Sequence, residues 1–311
     1  MDTNDSKAEE FYKSFLEYTE TLFAGFLDRK GLDFQSIQDM IRKLCDLVRQ
    51  DRNSVVHVMQ TAEPYENLHV SHSVRTSIVA VIIGMNLKLP RHQLFELGVA
   101  GLLGNLSVLS LPERIYTSSG GALNLLEAGT DAEKRALYVH PIHAQKVLKA
   151  YEFPASVCDA VLQHHELEDG SGFPQQLKGD NICMNAKILV VAGLYDAFSI
   201  EDVDKAKCGH RGIVQILKNG KIFDVQVIRA LINSISIYPV GIYVLLSNGE
   251  FAQVVDNDED NPRFPVVEIA GGKPPKQIVK TSEELSVVRP LISEEVEDFI
   301  KKSQPPEPQP K

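Results

Sequence analysis

Residues 164–174 read HHELEDGSGFP, and this stretch decides how the rest of the chain is interpreted. Two adjacent histidines, His164 and His165, end an apolar segment, and acids and a glycine-rich turn follow them. Imidazole nitrogens bind transition metals well, and glycines let backbone N–H groups approach an anion. The pattern therefore indicates a site that faces an ion or a phosphate, although a helix end followed by a surface turn would look similar.

Helical periodicity surrounds this stretch and predicts a mainly α fold. Residues 8–60 carry apolar side chains at helical spacing, and Gly31 and Asp33 divide them into two segments. We expect a packed extension of the core there, because no Pro- or Gly-rich linker separates these residues from His72. Further helices are predicted at 71–87, 92–106, 131–151, 154–165, 184–198 and 224–235.

Residues 239–291 have a different composition, which predicts a small β module. Two apolar runs flank Ser247-Asn248-Gly249, and Asn-Gly between such runs is a strong hairpin signal because both positions tolerate positive φ. Further strands are expected at 264–269 and 277–279. Residues 292–311 are expected to form a short helix capped by Ser293, followed by a disordered Pro-rich tail.

The overall composition narrows the class of protein. A hydrophobic content of 43% supports a sizeable core, and a formal net charge of −10 argues against a nucleic-acid partner or an anionic membrane surface. The four cysteines are dispersed without a CxxC pair, which fits a reducing compartment. The acidic N-terminus has no secretory signal, and Glu96 and Asn105 interrupt the most apolar stretch. We therefore expect a cytoplasmic protein that does not contact a membrane.

The string HHELEDGSGFP resembles the signature HHExxDGxGYP of HD-GYP proteins, with Phe173 in the tyrosine position. That family consists of metal-dependent phosphodiesterases that act on cyclic di-GMP. The resemblance covers about residues 50–290 and implies an HD-type helical bundle at 61–238, preceded by an N-terminal helical region at 1–60. Other matching segments are His72-Ser73-Val74, Ala100-Gly101-Leu102-Leu103, His140-Pro141, LVVAGLYDA at 189–197, and Tyr238-Pro239-Val240-Gly241 before the β module.

The resemblance also implies roles for individual residues. Four histidines occupy positions that hold metal in the family: His72, His140, His164 and His165. The loop is thought to be a protein-contact surface in the family, so the loop residues expected to face a ligand or a partner are Glu166, Asp169, Gly170, Gly172, Phe173 and Pro174.

Four departures from the family pattern affect the expected chemistry. Gly104 and Asn105 replace the His-Asp pair, Val108 replaces a lysine, and Gly193 replaces a ligand aspartate. Phosphodiester hydrolysis of this kind uses two or more close metal ions, and such ions need bridging carboxylates. Neutral histidines can hold one ion. We therefore expect no catalytic residues and no cofactor, or at most one transition-metal ion (iron, manganese or zinc).

The expected substrate groove is also altered. The family usually has a basic, aromatic RPYR run after the "DA" of the 189–197 segment, and residues 202–205 of this chain read DVDK. Acidic side chains there would repel phosphate. Lys205, Lys207 and Arg211 lie close by in sequence and could compensate.

Three functions are compatible with these residues. The first is a degenerate HD-GYP protein without phosphodiesterase activity, which acts in cyclic di-GMP-related signalling by binding a partner protein or the dinucleotide, with the β module as a second contact or homodimer element. The second is a working phosphodiesterase with an atypical metal site. The third is a structural scaffold that binds no small ligand. In the second case the candidates for the missing ligands are Glu66, Glu166, Asp169 and Asp196.

Overall fold

The computed structural model describes residues 3–62, 65–109, 130–200, 208–235, 237–238, 240–256, 261, 263–270, 277–291, 295–296 and 298. The predicted groove segment at 202–205, the cap Ser293 and the Pro-rich tail lie outside these residues.

The described chain is mainly helical, with a small sheet at its C-terminal end, and this confirms the expected fold class. Helix α8 was not predicted, because Gly209 and Gly212 lower its helix propensity. The helices are α1 (Thr3–Leu27), α2 (Phe34–Thr61), α3 (Leu68–Asn86), α4 (Arg91–Leu103), α5 (Asp131–Ala150), α6 (Ala155–Gln163), α7 (Met184–Ile200), α8 (Cys208–Lys218) and α9 (Val225–Ile235).

Side-chain caps fix where the helices that carry the site begin. The side chain of Asn67 accepts a hydrogen bond from the backbone N–H of Val70 at 3.2 Å and starts α3, five residues before His72. Helix α5 begins with a capping box, in which Thr130 and Glu133 each accept from the other's backbone N–H. Such caps satisfy N–H groups that the first helical turn leaves without partners.

The two N-terminal helices share one apolar core with the helices that follow. Phe15 of α1 and Ile41 of α2 are fully buried in the same cluster as Ile78 of α3 and Leu102 of α4. The expected extension therefore packs against the core rather than standing apart from it.

Helix α3 lies at the centre of this core. By length and composition it could cross a membrane, but 83% of its apolar window is buried inside the protein. A helix that is buried on nearly all sides occupies a core position.

The C-terminal sheet has its own small core and is antiparallel in the order β4-β3-β2-β1-β5. The predicted turn at Asn248-Gly249 joins β1 to β2, and Gly249 has a φ of +86°. Strand β5 was missed because its run ends at Pro290, which pairs with Val244 at the sheet edge. The strands are β1 (Tyr243–Leu246), β2 (Phe251–Asp256), β3 (Val266–Ile269), β4 (Ile278–Lys280) and β5 (Val287–Pro290).

The shared core predicts that the N-terminal helices unfold together with the rest of the helical domain. Phe15→Ala should lower the free energy of unfolding by about 3–5 kcal/mol, because it leaves a cavity in a fully buried position. Leu27→Ala is the control on the same helix; Leu27 is 54% exposed, so a change within about 0.5 kcal/mol is expected. Urea denaturation followed by circular dichroism measures both. An unchanged stability for Phe15→Ala would contradict the shared core.

Candidate functional site

Helices α3, α4, α5 and α7 and the residues that follow α6 enclose a small cavity, which we call the central cavity. Its volume is about 50 Å³, enough for a few water molecules. Its polar lining consists of His72, Thr76, Asn105, His164 and His165. The remaining lining residues are apolar or glycine: Ala100, Gly101, Gly104, Leu137, Leu189, Val190, Gly193, Leu194 and Ala197.

Two buried histidines face each other beside this cavity. The Nδ1 of His140 lies 2.6 Å from the carbonyl oxygen of Leu137, and the Nδ1 of His164 lies 2.6 Å from that of Val161. Because a carbonyl oxygen only accepts, each Nδ1 must carry the proton, which leaves the Nε2 of a neutral ring as a bare acceptor. The two Nε2 atoms are 3.3 Å apart.

His165 completes a cluster of three imidazoles. One ring nitrogen from each of His140, His164 and His165 lies within 4.8 Å of the others. Burial lowers the pKa of all three rings, to about 4 for His164 and well below the usual value for the other two, and neighbouring imidazoles lower them further. The rings are therefore neutral near pH 7, the protonation state that binds metals.

The fourth predicted histidine, His72, is oriented by a buried carboxylate. Its Nδ1 lies 2.8 Å from Oδ2 of Asp196, and the guanidinium of Arg75 pairs with the other carboxylate oxygen. Burial alone would raise the pKa of Asp196, but Arg75 and the hydrogen bond to His72 outweigh burial and lower it. Asp196 is thus an ionised group that positions His72, as carboxylates behind metal-binding histidines commonly do.

The structure places two of the four departures directly against the histidines. A Cβ added to Gly104 would lie 3.8 Å from the ring of His164, and one added to Gly193 would lie 4.0 Å from both His72 and Thr76. Side chains at these two positions would therefore enter the central cavity, beside His164 and His72. Their absence leaves the histidines without an adjacent carboxylate at either position.

The other two departures differ from each other in their placement. Asn105 is buried and lines the central cavity, whereas Val108 is 1% exposed and does not line it. The Oδ1 of Asn105, the Oγ1 of Thr76 and the Nε2 of His165 are buried and have no hydrogen-bond partner among the described residues. Sequence reasoning missed Thr76, although its spacing of four from His72 puts both on one helix face.

The carboxylates considered as replacement ligands lie elsewhere. Glu166 accepts hydrogen bonds from the backbone N–H groups of Gln175 at 2.6 Å and Leu177 at 2.9 Å, so it fixes the loop. Asp169 is exposed and accepts from the backbone N–H of Ser171 at 2.9 Å. Glu66 is also exposed, and Asp196 pairs with His72 and Arg75. None of the described residues that line the central cavity carries a carboxyl group.

The glycine-rich loop is held close to the histidines by backbone contact. A Cβ on Gly172 would lie 2.4 Å from the carbonyl oxygen of His165 and from the backbone nitrogen of Leu167, so only glycine fits. Gly170 has a φ of +81° and forms the turn, and Pro174 follows the aromatic residue.

Phe173 is a packing residue rather than an exposed contact. Its side chain is 3% exposed, and its ring stacks on His165 with 4.7 Å between centroids and lies 4.9 Å from the ring of Tyr138. The expectation that the loop around this ring faces a ligand or a partner stays a prediction. Asp169 and Ser171 are the exposed residues of the turn.

Comparisons with known proteins identify the family of this chain. The sequence profile of the HD domain family matches residues 57–227, more than half of the chain. The cyclic di-GMP phosphodiesterase PdeB of Borreliella burgdorferi is 30% identical over 225 residues, which are 71% of this chain and 56% of that protein. A cyclic di-GMP phosphodiesterase of Pseudomonas aeruginosa is 27% identical over 231 residues, 73% of this chain and 53% of that protein.

A solved structure shares the fold. The HD-GYP-type protein Bd1817 of Bdellovibrio bacteriovorus superposes with a TM-score of 0.60 at 16% identity, over 74% of this chain and 72% of that one. The chain belongs to the HD domain family. Its residues 164–174 resemble the HD-GYP signature, and the chain spans about half the length of the curated relatives it matches.

The described residues that line the central cavity do not fit the multi-metal cluster that the HD-GYP resemblance implies. Close cations need bridging carboxylates, and the described lining of the central cavity has none. Three imidazole nitrogens are available instead.

The lowered pKa of His164 predicts a pH-dependent stability for the metal-free protein. Between the unfolded value of about 6.5 and the folded value of about 4, the unfolded chain binds the extra proton, so stability is lost as the pH falls through this window. From pH 7 to pH 5 the free energy of unfolding of the wild type should fall by on the order of 2 kcal/mol more than that of His164→Gln.

Urea denaturation at the two pH values, in the presence of a chelator, measures this difference. His143→Gln, at an exposed position on α5, is the matched control and should behave as the wild type does. Equal losses in wild type and His164→Gln would show that His164 is not neutral in the folded protein.

Proposed function

We propose that this protein is a non-hydrolytic HD-GYP member that acts by binding in cyclic di-GMP-related signalling. The observation that carries the proposal is the lining of the central cavity, where the positions that face His164 and His72 are glycines. Without carboxylates among its described lining residues, the site cannot neutralise two adjacent divalent ions, and two-metal activation of water is lost.

The ligand class we propose is a cyclic dinucleotide, held by a phosphate. The relatives from Borreliella burgdorferi and Pseudomonas aeruginosa are named as cyclic di-GMP phosphodiesterases, which supports this class. The central cavity, at about 50 Å³, is far below the roughly 300–1,000 Å³ of sites that enclose a drug-sized ligand. Only a phosphate group would enter it, and the bases would remain outside.

Polar groups in the cavity support phosphate as the inserted group. The hydroxyl of Thr76 and the amide of Asn105 can donate hydrogen bonds to phosphate oxygens, and the Oγ1 of Thr76 has no other partner among the described residues. A partner protein would instead meet the exposed turn at Asp169 and Ser171.

A second candidate is a phosphodiesterase with an atypical metal site. The three clustered imidazoles favour it, because they retain metal-binding capacity. The positions of Glu166, Asp169 and Asp196 favour the non-hydrolytic function, because hydrogen bonds and ion pairs already engage these carboxylates.

Hydrolysis and metal content separate the two candidates. The wild type, incubated with Mn²⁺, Fe²⁺ or Zn²⁺, should release no linear product from cyclic di-GMP above the blank. The triple variant Gly104→His/Asn105→Asp/Gly193→Asp should hold more metal than the wild type, because all three new side chains lie at the lining of the central cavity. Val108 is left unchanged because it does not line the cavity.

Mass spectrometry measures the metal content of each protein, and chromatography of the nucleotides measures hydrolysis. Gly25→Asp on α1 is the control for adding a carboxylate away from the cavity, and it should leave the metal content unchanged. Two or more ions per wild-type chain together with hydrolysis would overturn the non-hydrolytic function.

Isothermal calorimetry tests binding of cyclic di-GMP. Thr76→Val keeps the side-chain shape and removes the hydroxyl, so it should weaken binding about tenfold, as expected for one hydrogen bond to a charged group. Thr61→Val, at an exposed position, is the control. No heat from the wild type at high ligand concentration would favour the scaffold.

A further inference from the structure

The contact between His140 and His164 requires a positive charge that the protein itself does not supply. Their Nε2 atoms are 3.3 Å apart, and both Nδ1 protons are committed to backbone carbonyls. Neither Nε2 of the neutral rings has a proton to donate, so the two lone pairs repel each other unless a cation lies between them. None of the described residues that line the central cavity is a lysine or an arginine that could supply this charge.

The distance between the two nitrogens matches the distance between two nitrogen ligands of one metal ion. Two imidazole nitrogens at about 2.0–2.1 Å from one tetrahedral ion lie about 3.3 Å apart. The pair in this protein has that spacing, and His165 places a third nitrogen within 4.8 Å of both. The Nε2 of His165 is buried without a hydrogen-bond partner among the described residues, as expected of a ligand atom.

We infer that His140, His164 and His165 bind a single zinc-class ion, in place of the carboxylate-bridged metal cluster of the HD-GYP family. Neutral nitrogen ligands select Zn²⁺ over Mg²⁺ or Mn²⁺, which prefer carboxylate oxygens. This inference deepens the proposed function and rests on it, since a single ion without a bridging carboxylate is the reason that two-metal hydrolysis is absent.

The charge of the site sets the remaining ligand. Three neutral imidazoles leave the two positive charges of the ion uncompensated, and Asp196, which orients His72, is already paired with Arg75. The ion therefore favours an anionic oxygen at its fourth position, either hydroxide or a phosphate oxygen. The Oγ1 of Thr76 and the side chain of Asn105 line the same cavity and can hydrogen-bond to that oxygen.

Metal titration of the full chain tests the inference. Protein stripped with a chelator should take up one Zn²⁺ per chain and no Mn²⁺ under the same conditions. Its Co²⁺ form should show the intense visible bands of tetrahedral coordination. His140→Gln and His165→Gln should each weaken Zn²⁺ binding by more than about 100-fold, because loss of even an outer partner costs about 10–100-fold. His143→Gln, on the same helix as His140 but exposed, should bind as the wild type does.

Each outcome decides between the possibilities. If a variant fails to fold by circular dichroism, the Co²⁺ spectrum of the wild type decides the coordination alone. Wild type that binds no Zn²⁺, or an octahedral Co²⁺ spectrum, would overturn the zinc site and leave the non-hydrolytic function standing. Two ions per chain with hydrolysis of cyclic di-GMP would overturn both.

Discussion

The buried carboxylate of Asp196 ties together the helices on which the site is built. It lies in α7, accepts from His72 of α3, and pairs with Arg75, whose guanidinium also donates to the carbonyl of Met59 in α2. A buried charge is expensive unless it is fully paired, and here both oxygens have partners. Because α3 and α7 both line the central cavity, this one group holds together two of the helices that form it.

Much of the fold was predicted from local sequence patterns. The parts that were not predicted depend on contacts with residues distant in the sequence. The Asn248-Gly249 turn and the long periodic helices were predicted because their signals lie within a few residues. Strand β5 was missed because it is defined by pairing with β1, more than forty residues earlier in the chain. The burial of Phe173 was not predicted, since it depends on packing against Tyr138 of α5.

The candidate site was likewise predicted in part from the sequence. The family resemblance gave the four histidines and the departures at Gly104 and Gly193, and the structure brings these six positions together around one cavity. The family resemblance could not predict which ring nitrogen of His140 and His164 carries the proton, because backbone carbonyl groups one helical turn away determine it. Nor could it show that Glu166 and Asp196 already hold other groups, because both are engaged by residues distant in sequence or on other helices.

The stacking of Phe173 on His165 has a consequence for binding strength. The carbonyls of Leu137 and Val161 fix the rings of His140 and His164, and the aromatic stack fixes the third. Ordering a mobile side chain on binding costs about 0.5–1.5 kcal/mol. An ion or anion bound as proposed would meet three rings whose rotamers are already selected, so the entropy of assembling the site would be lost during folding. The glycine-rich loop would then contribute to affinity through the packing of His165.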